Sequence, residues 1–303
     1  MRLNHDLSPW AMQIPYRNVD TRYELDEELL YADTIVAPGS VHEDLALKAK
    51  LLATLGWRLA SVGAETRLIV QSVKKMAHDL NCNNIDLNIT RDGIMVKLKR
   101  GHMISVEFKE IKHFAINMDS LERLNHICLA VSEGKLTDPN TIFLAIRAVR
   151  PRHYNHKNLI FIEALAGAAF AYLNGGNFPI VMSALLGGIV LMYARFGFIK
   201  KGFFESFTFM LSAFLGSLTA ALCAQYIFAI PHEQVVLSAT ATTLLLVPGF
   251  PLINGFLDIF KGYVPIGLTR LIIAAVLIIS ATIGLLMTTY CLSFITSLIV
   301  PLA

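Results

Sequence analysis

The feature that most constrains this chain is the near absence of charge from its second half. Residues 159–303 contain five Lys or Arg and four Asp or Glu, whereas residues 1–158 contain 21 and 19. Since a soluble domain has roughly 25% charged residues, the first segment is charged like a globular domain and the second like a surface that meets lipid. The net charge of +3, with no basic run interleaved with aromatic residues, argues against a nucleic-acid partner.

Five apolar segments of the second half are candidates for membrane-spanning helices, because about 20 apolar residues cross the ~30 Å core of a bilayer. We place them at about residues 159–174, 178–195, 206–230, 234–257 and 270–296. The turn-forming run from Asn174 to Pro179 separates the first two segments. We interpret these two as a helical hairpin; the alternative is a re-entrant pair that does not cross fully.

The basic residues of the connections predict the orientation of this bundle. Arg195, Lys200 and Lys201 follow the second segment, and Lys261 and Arg270 precede the fifth. The other two connections contain no Lys or Arg, and the segment before the first span is rich in both. The positive-inside rule therefore predicts a cytoplasmic N-terminus and, after five spans, a C-terminus outside. The first 33 residues are polar and acidic, so we expect no cleavable signal peptide.

The charged half is predicted to be a soluble α+β domain over residues 41–157, after an acidic and flexible extension over 1–40. Apolar residues recur every three or four positions from Leu45 to Leu80, which predicts an amphipathic helix broken near Gly63. The period then changes to two, which predicts a short antiparallel meander, and two helices at about 118–132 and 138–150 close the domain. The predicted fold is a membrane all-α bundle of about five transmembrane helices preceded by a small α+β cytoplasmic domain.

The fourth apolar segment contains two prolines three positions apart, with a glycine between them. Proline has no N–H to donate, so a regular helix is barred there, and broken helices in hydrocarbon occur where they face protein or a water-lined cavity. Transporters present helix ends and bare carbonyls to solutes at such breaks. The candidate solute or ion ligands are Thr242, Thr243, Pro248, Gly249, Pro251 and Asn254. The alternative is a proline kink whose hydroxyls bond back to their own helix.

Charged residues beside this segment suggest a cytoplasmic entrance. Lys261 and Arg270 could draw an anion towards the membrane, with Asp258 beside them. The alternative is that Arg270 pairs with Asp258. For Glu163 and Glu205, close to the ends of other spans, solvation or ion pairing is the favoured interpretation.

The third segment carries small residues at every fourth position, namely Ser212, Gly216, Ala220 and Ala224. Such a stripe lets a second helix approach closely. Packing inside one bundle is the favoured interpretation, and an interface in a homo-oligomer is the alternative.

Motifs of enzyme chemistry do not occur in the sequence. It contains no P-loop, dinucleotide glycine pattern, GxSxG or HExxH. The four cysteines are scattered without metal-ligand spacing, so we expect reduced, structural thiols and no metal. We predict that the protein is not an enzyme and has no cofactor, and that any transport runs on a gradient rather than on ATP.

The segment from Leu245 to Asn254, continued by Asp258, Lys261, Gly262, Gly267 and Arg270, resembles the signature of the threonine/serine exporter (ThrE) family. Leu173–Gly176, Gly63–Thr66 and Ile116–Met118 carry further parts of the resemblance, which covers about residues 41–295. The chain lacks the second hydrophobic region of single-chain members. It is thus most similar to the large YjjP-type subunit of the two-component exporters, which works with a small YjjB-type membrane partner.

The resemblance implies a subunit of an exporter of small carboxylate metabolites in the bacterial inner membrane. The solute would be threonine or serine, or a dicarboxylate such as succinate. The alternative is a membrane-anchored interaction or regulatory protein whose cytoplasmic domain senses a ligand. A membrane-bound hydrolase lacks a convincing nucleophile and base.

Overall fold

Two helices open the described part of the chain, and Gly63 separates them. In the computed structural model, which describes residues 41–111, 116–151 and 154–299, α1 is Val41–Ser61 and α2 is Thr66–Asp79. Gly63 has a φ of +91° and its N–H donates to the Ala60 carbonyl, while the Ala64 N–H donates to Leu59. These two bonds form a Schellman end, which needs a residue in the left-handed region. The predicted break near Gly63 is confirmed.

A three-stranded antiparallel sheet follows, in the order β1-β2-β3. Its strands are β1 Ile85–Ile89, β2 Gly93–Arg100 and β3 Met103–Glu110. The register pairs Ile89 with Ile94 and Arg100 with Met103, so both connections are tight hairpin turns. Alternate residues of β2 are buried against the helices, as the period of two predicts: Ile94, Val96 and Leu98.

Two further helices complete the N-terminal region, α3 Met118–Ser132 and α4 Pro139–Ala148. The Asn117 side chain caps α3 and the Asp138 side chain caps α4, where Pro139 takes the first helical position. Residues of α1, α2, β2, α3 and α4 share one hydrophobic core. The predicted α+β elements are therefore confirmed, while the acidic extension lies outside the described residues.

Residues 156–299 are mostly helical: α5 His156–Leu173, α6 Phe178–Lys200, α7 Glu205–Leu222 with a π-helical turn Cys223–Ile227, α8 His232–Thr243, α9 Gly249–Phe260 and α10 Val264–Ile299. Helices α6, α7 and α10 are long and apolar enough to cross a membrane. Helices α8 and α9 form one further candidate span, bent by 57°. Within the described residues, three or four spans thus meet the criteria of length and composition, against the five predicted. Helix α5 does not meet them because its first turn, His156-Lys157-Asn158, is polar.

Small residues set how closely these helices approach. Helices α5 and α6 pack side by side as a hairpin, since a Cβ at Gly188 would lie 3.0 Å from the Ala164 Cα. A Cβ at Gly187 would lie 2.7 Å from the Gly216 carbonyl oxygen. The predicted stripe is buried throughout, at Ser212, Gly216, Ala220 and Ala224. It therefore packs inside the bundle, as the favoured interpretation had it.

Candidate functional site

The turn between α1 and α2 contacts the facing ends of α9 and α10. The Thr66 hydroxyl donates to Asp258 Oδ2 at 2.9 Å and the Thr66 N–H to Oδ1 at 3.2 Å. Arg270 Nη1 forms an ion pair with Asp258 Oδ2 at 2.9 Å, and its Nη2 donates to the Ala64 carbonyl at 3.3 Å. These four contacts form the centre of a cluster that we call the junction.

Two further contacts flank the Asp258–Arg270 pair. Asn254 Nδ2 donates to the Gly63 carbonyl at 3.1 Å, and Lys261 Nζ lies 2.5 Å from Glu65 Oε1. The complete junction therefore consists of the turn Gly63–Thr66 and four side chains of α9, its C-terminal end and α10: Asn254, Asp258, Lys261 and Arg270.

Local sequence explains why these groups meet. Thr66 is the first residue of α2, whose free N-terminal N–H groups attract a carboxylate, and Asp258 supplies one from 192 residues away. Asn254, Asp258 and Lys261 are spaced by four and three residues, so they follow one side of α9. Gly255 and Gly267 allow α9 and α10 to touch, since a Cβ at Gly267 would lie 2.6 Å from the Gly255 carbonyl oxygen.

The junction is charge-balanced, and its centre is buried. Asp258 is 0% exposed, and each of its two oxygens receives at least one donor. Glu65 and Lys261 add one charge of each sign at the edge. An unpaired buried charge would be far more costly than this arrangement. The structure therefore shows the alternative interpretation, in which Arg270 pairs with Asp258, and Lys261 is also paired, with Glu65.

The break in the fourth apolar segment lies directly before α9. Helix α8 ends at Thr243, a short 3-10 turn covers Leu244–Leu246, and Pro248 precedes α9. The Gly249 N–H turns back to the Val247 carbonyl at 2.8 Å. Among the hydrogen bonds of residues 154–299, none ends at the carbonyl oxygen of Leu245 or of Leu246, although Leu246 is only 2% exposed. The predicted break is confirmed, and it leaves two bare carbonyls.

The hydroxyls near the break are occupied. Thr242 donates to the Ser238 carbonyl at 2.8 Å and lies 3.3 Å from that of Ala184. Thr243 donates to Ala239 at 2.9 Å. This is the back-bonding alternative, so the backbone rather than the threonines offers free ligands. A Cβ at Gly249 would meet nothing within 4 Å, so the chain is open on that side.

Comparison with known proteins assigns this architecture to a family. Residues 50–292 match the family described as "Putative threonine/serine exporter" (ThrE). The chain belongs to this family. Both sides of the junction, from the turn Gly63–Thr66 to Arg270, lie inside the region that matches the exporter family.

Two relatives of this exporter-family chain carry a more specific description. One, from Klebsiella aerogenes, is 28% identical over 228 residues, which is 74% of this chain and 86% of the relative. The other, from Escherichia coli K12, is 25% identical over 240 residues, 78% of this chain and 92% of the relative. Each is described as "Probable succinate transporter subunit YjjP". No solved structure matches the chain.

The turn side of the junction is the part for which sequence reasoning predicted no role. The sequence predicted a helix break near Gly63 and a family motif at Gly63–Thr66, but nothing local indicates a partner 191 to 206 residues away. A functional hint was nevertheless present: a left-handed glycine followed by an acidic residue and a threonine at a helix start is a ready polar surface.

A cleft of about 440 Å³ lies in the described part of the N-terminal region. Its lining includes Asp44, Lys48, Asp79, Asn81 and Ser132. Within residues 41–111, 116–151 and 154–299, no group of three or more His, Cys, Asp or Glu side chains could hold a metal ion.

All four cysteines are free thiols in the structure. Burial raises the pKa of the Cys128 thiol to about 11 and also raises the pKa of the Cys82 thiol. Both stay protonated near neutral pH and are therefore weak nucleophiles.

Proposed function

We propose that the chain is the large subunit of a gradient-driven exporter of small carboxylate metabolites. Family membership and the two YjjP relatives support a membrane transporter subunit. The absence of a P-loop from the sequence favours a gradient over ATP as the energy source. The solute is threonine or serine, or a dicarboxylate such as succinate, and no catalytic step is involved.

The proposed topology has five spans in a bacterial inner membrane. Residues 41–157 form a cytoplasmic domain and residues 158–303 the membrane domain, with the C-terminus outside. In this arrangement α5 is a short first span whose polar first turn stays at the interface, and the Lys/Arg distribution supports the orientation.

The observation that carries the proposal is the broken span formed by α8 and α9, in which α9 contributes side chains to the junction. Bare carbonyls at Leu245 and Leu246 and the N-terminal end of α9 are the groups that transporters offer to ions and solutes. Helix α9 is held by Asn254, Asp258 and Lys261 to the turn Gly63–Thr66. A movement of α9 around the break therefore requires these contacts to open, which couples the cytoplasmic domain to the solute path.

A small membrane subunit of the YjjB type is the proposed partner. The description of both relatives as subunits supports a partner of some kind. The open side of the chain at Gly249 is compatible with a second polypeptide completing the path.

Flux in reconstituted vesicles tests this proposal. Vesicles loaded with threonine or succinate would contain this chain with and without the partner. The triple variant Pro248→Ala, Pro251→Ala, Asn254→Ala is expected to lower flux at least ~10-fold, because it restores a continuous helix and removes one junction contact. The matched control is Thr269→Val, an exposed hydroxyl on α10 that bonds back to Pro265. Unchanged flux in the triple variant would remove the break from the mechanism.

The cleft favours a second candidate function, a domain that senses a ligand. Its volume of about 440 Å³ suits a small metabolite, and its lining carries both charge signs. A complex that moves no solute, but binds a metabolite in a manner that Asp79→Ala abolishes, would favour this function over export.

A further inference from the structure

Three hydrogen-bonding groups of α6 and α7 have no protein partner. They are Arg195 Nε, Thr208 Oγ1 and Ser212 Oγ, and no other described residue satisfies them. Thr208 and Ser212 are both 0% exposed. Buried polar groups are almost always paired, and one left unmade costs about 1–3 kcal/mol. The other hydroxyls further along α7 are satisfied: Ser217 donates to Ala213 at 2.6 Å and Thr219 to Leu215 at 2.8 Å.

These groups belong to parts of α6 and α7 that pack together, because Leu191, Met192, Phe209 and Ala213 share one buried cluster. Thr208 and Ser212 are four residues apart on α7, so they face the same way. Between them Phe209 carries the Arg195 guanidinium, whose Cζ lies 4.9 Å from the ring centroid. The N-terminus of α7 begins one turn earlier, and the Phe204 side chain there makes no cap. The first turns of α7, where the helix dipole is positive, therefore hold two hydroxyls without a partner beside a ring that a guanidinium contacts.

Within the described residues, the Arg195 guanidinium forms no ion pair with a carboxylate. No Asp or Glu oxygen in the described residues lies within 4.0 Å of it, although Glu163 and Glu205 act on it electrostatically from farther away. A single carboxylate group, which accepts hydrogen bonds at two oxygens, matches the three donors.

We propose that Arg195, Thr208 and Ser212 bind a carboxylate group of the transported solute. The inference rests on the proposed function for the origin of that carboxylate. The buried cluster that includes Phe209 of α7 also includes Leu246, which links this part of α7 to the break. Arg195 thus anchors the carboxylate end of a solute whose remainder extends towards the bare carbonyls.

Calorimetric titration of the purified full chain in nanodiscs tests the site directly. The probes are L-threonine and succinate in separate arms, with succinamide as the uncharged analogue. We expect one carboxylate probe to bind and succinamide not to bind. Thr208→Val and Ser212→Ala should each weaken Kd about 5- to 10-fold, and Arg195→Gln at least ~30-fold. Thr219→Val on the same helix is the matched control and should leave Kd unchanged.

The readouts separate this inference from a merely structural role. Removing an unpaired hydroxyl should leave the apparent Tm unchanged or raise it, so a weaker Kd together with a lowered Tm in Thr208→Val would contradict the inference. If Arg195→Gln does not fold, Arg195→Lys takes its place, since it keeps the charge but loses the planar fork. Equal Kd values in wild type and all three variants, or no binding of either probe, would overturn the site.

Flux measurements distinguish the two proposals. Transport with a KM that Thr208→Val and Arg195→Lys leave unchanged would overturn this site and leave the proposed function intact. Binding that the variants abolish, in a complex that moves no solute, would support the site and overturn the exporter.

Discussion

Two polar clusters in one membrane protein differ in whether their groups are paired. At the junction, the buried carboxylate of Asp258 has both oxygens satisfied and its charge balanced by Arg270. In the α6–α7 cluster, Arg195, Thr208 and Ser212 have donors with no acceptor. The difference teaches that burial alone does not mark a binding site. Ser120 Oγ also lacks a hydrogen-bond partner, as does Arg270 Nη1, which has only its ion pair with Asp258. What distinguishes the α6–α7 cluster is that three such groups occur together without a carboxylate of the chain to balance them.

The largest effect on stability should come from removing the buried carboxylate of the junction. Asp258→Ala leaves the Arg270 guanidinium buried without its partner, which should lower the free energy of unfolding by about 3–5 kcal/mol. Denaturant titration of the full chain in detergent measures it. The matched control is Asp86→Ala, which breaks the exposed Lys97–Asp86 pair and should cost less than about 1 kcal/mol. Equal effects of the two variants would mean that the junction is not structural.

The close approach of α9 and α10 should matter next. A Cβ in Gly267→Ala meets the Gly255 carbonyl oxygen at 2.6 Å, which should cost about 2 kcal/mol of stability by overpacking. Gly197→Ala on α6 is the matched control, because its added Cβ meets nothing within 4 Å. That control should be neutral or stabilising by about 0.5–1 kcal/mol. If Gly267→Ala is as stable as Gly197→Ala by thermal unfolding, α9 does not need to touch α10.

The smallest of these effects on stability should come from Asp138, an exposed carboxylate that caps α4. Asp138 accepts from the Thr141 hydroxyl at 2.7 Å and the Thr141 N–H at 2.8 Å, and these bonds lower its pKa. Asp138→Ala should cost about 1 kcal/mol, as loss of a helix cap does.

The sign of the pH dependence follows from the lowered pKa. The cap contributes fully above the pKa that Asp138 has in the unfolded chain, and the contribution is lost as the pH falls through the lower folded-state value. Melting curves of wild type and Asp138→Ala should therefore converge as the solution is acidified. A difference in Tm that stays constant through acid pH would contradict the role of the ionised cap.

Sequence reasoning reached the elements more easily than the contacts between them. The period of apolar residues predicted α1 and α2, and the prolines predicted the break before Gly249, because these signals are local. The pairing of Thr66 with Asp258 joins residues 192 positions apart, and no periodicity encodes that. The lack of a hydrogen-bond partner for Thr208 is even harder to predict from sequence, because it depends on which donors and acceptors the neighbouring helices place near it.

The count of spans shows a similar limit. Helices α6, α7 and α10 each contain a long apolar stretch, so their predicted status as spans agrees with the structure. Helix α5 is divided between a polar first turn and an apolar remainder. Its fate depends on lipid and on neighbouring helices, which composition does not describe.

The most direct test compares two threonine-to-valine changes by the apparent Tm of the full chain, each with and without the carboxylate probe that binds. A bound ligand stabilises the folded state by RT ln(1 + [L]/Kd), so with the probe at about its wild-type Kd a several-fold weaker Kd removes most of the rise in Tm. We predict that Thr66→Val lowers Tm but keeps the solute-induced rise. Thr208→Val should leave the basal Tm unchanged or higher and lose most of the rise. If Thr208→Val lowers the basal Tm as Thr66→Val does and keeps the full solute-induced rise, the distinction between the two clusters is wrong.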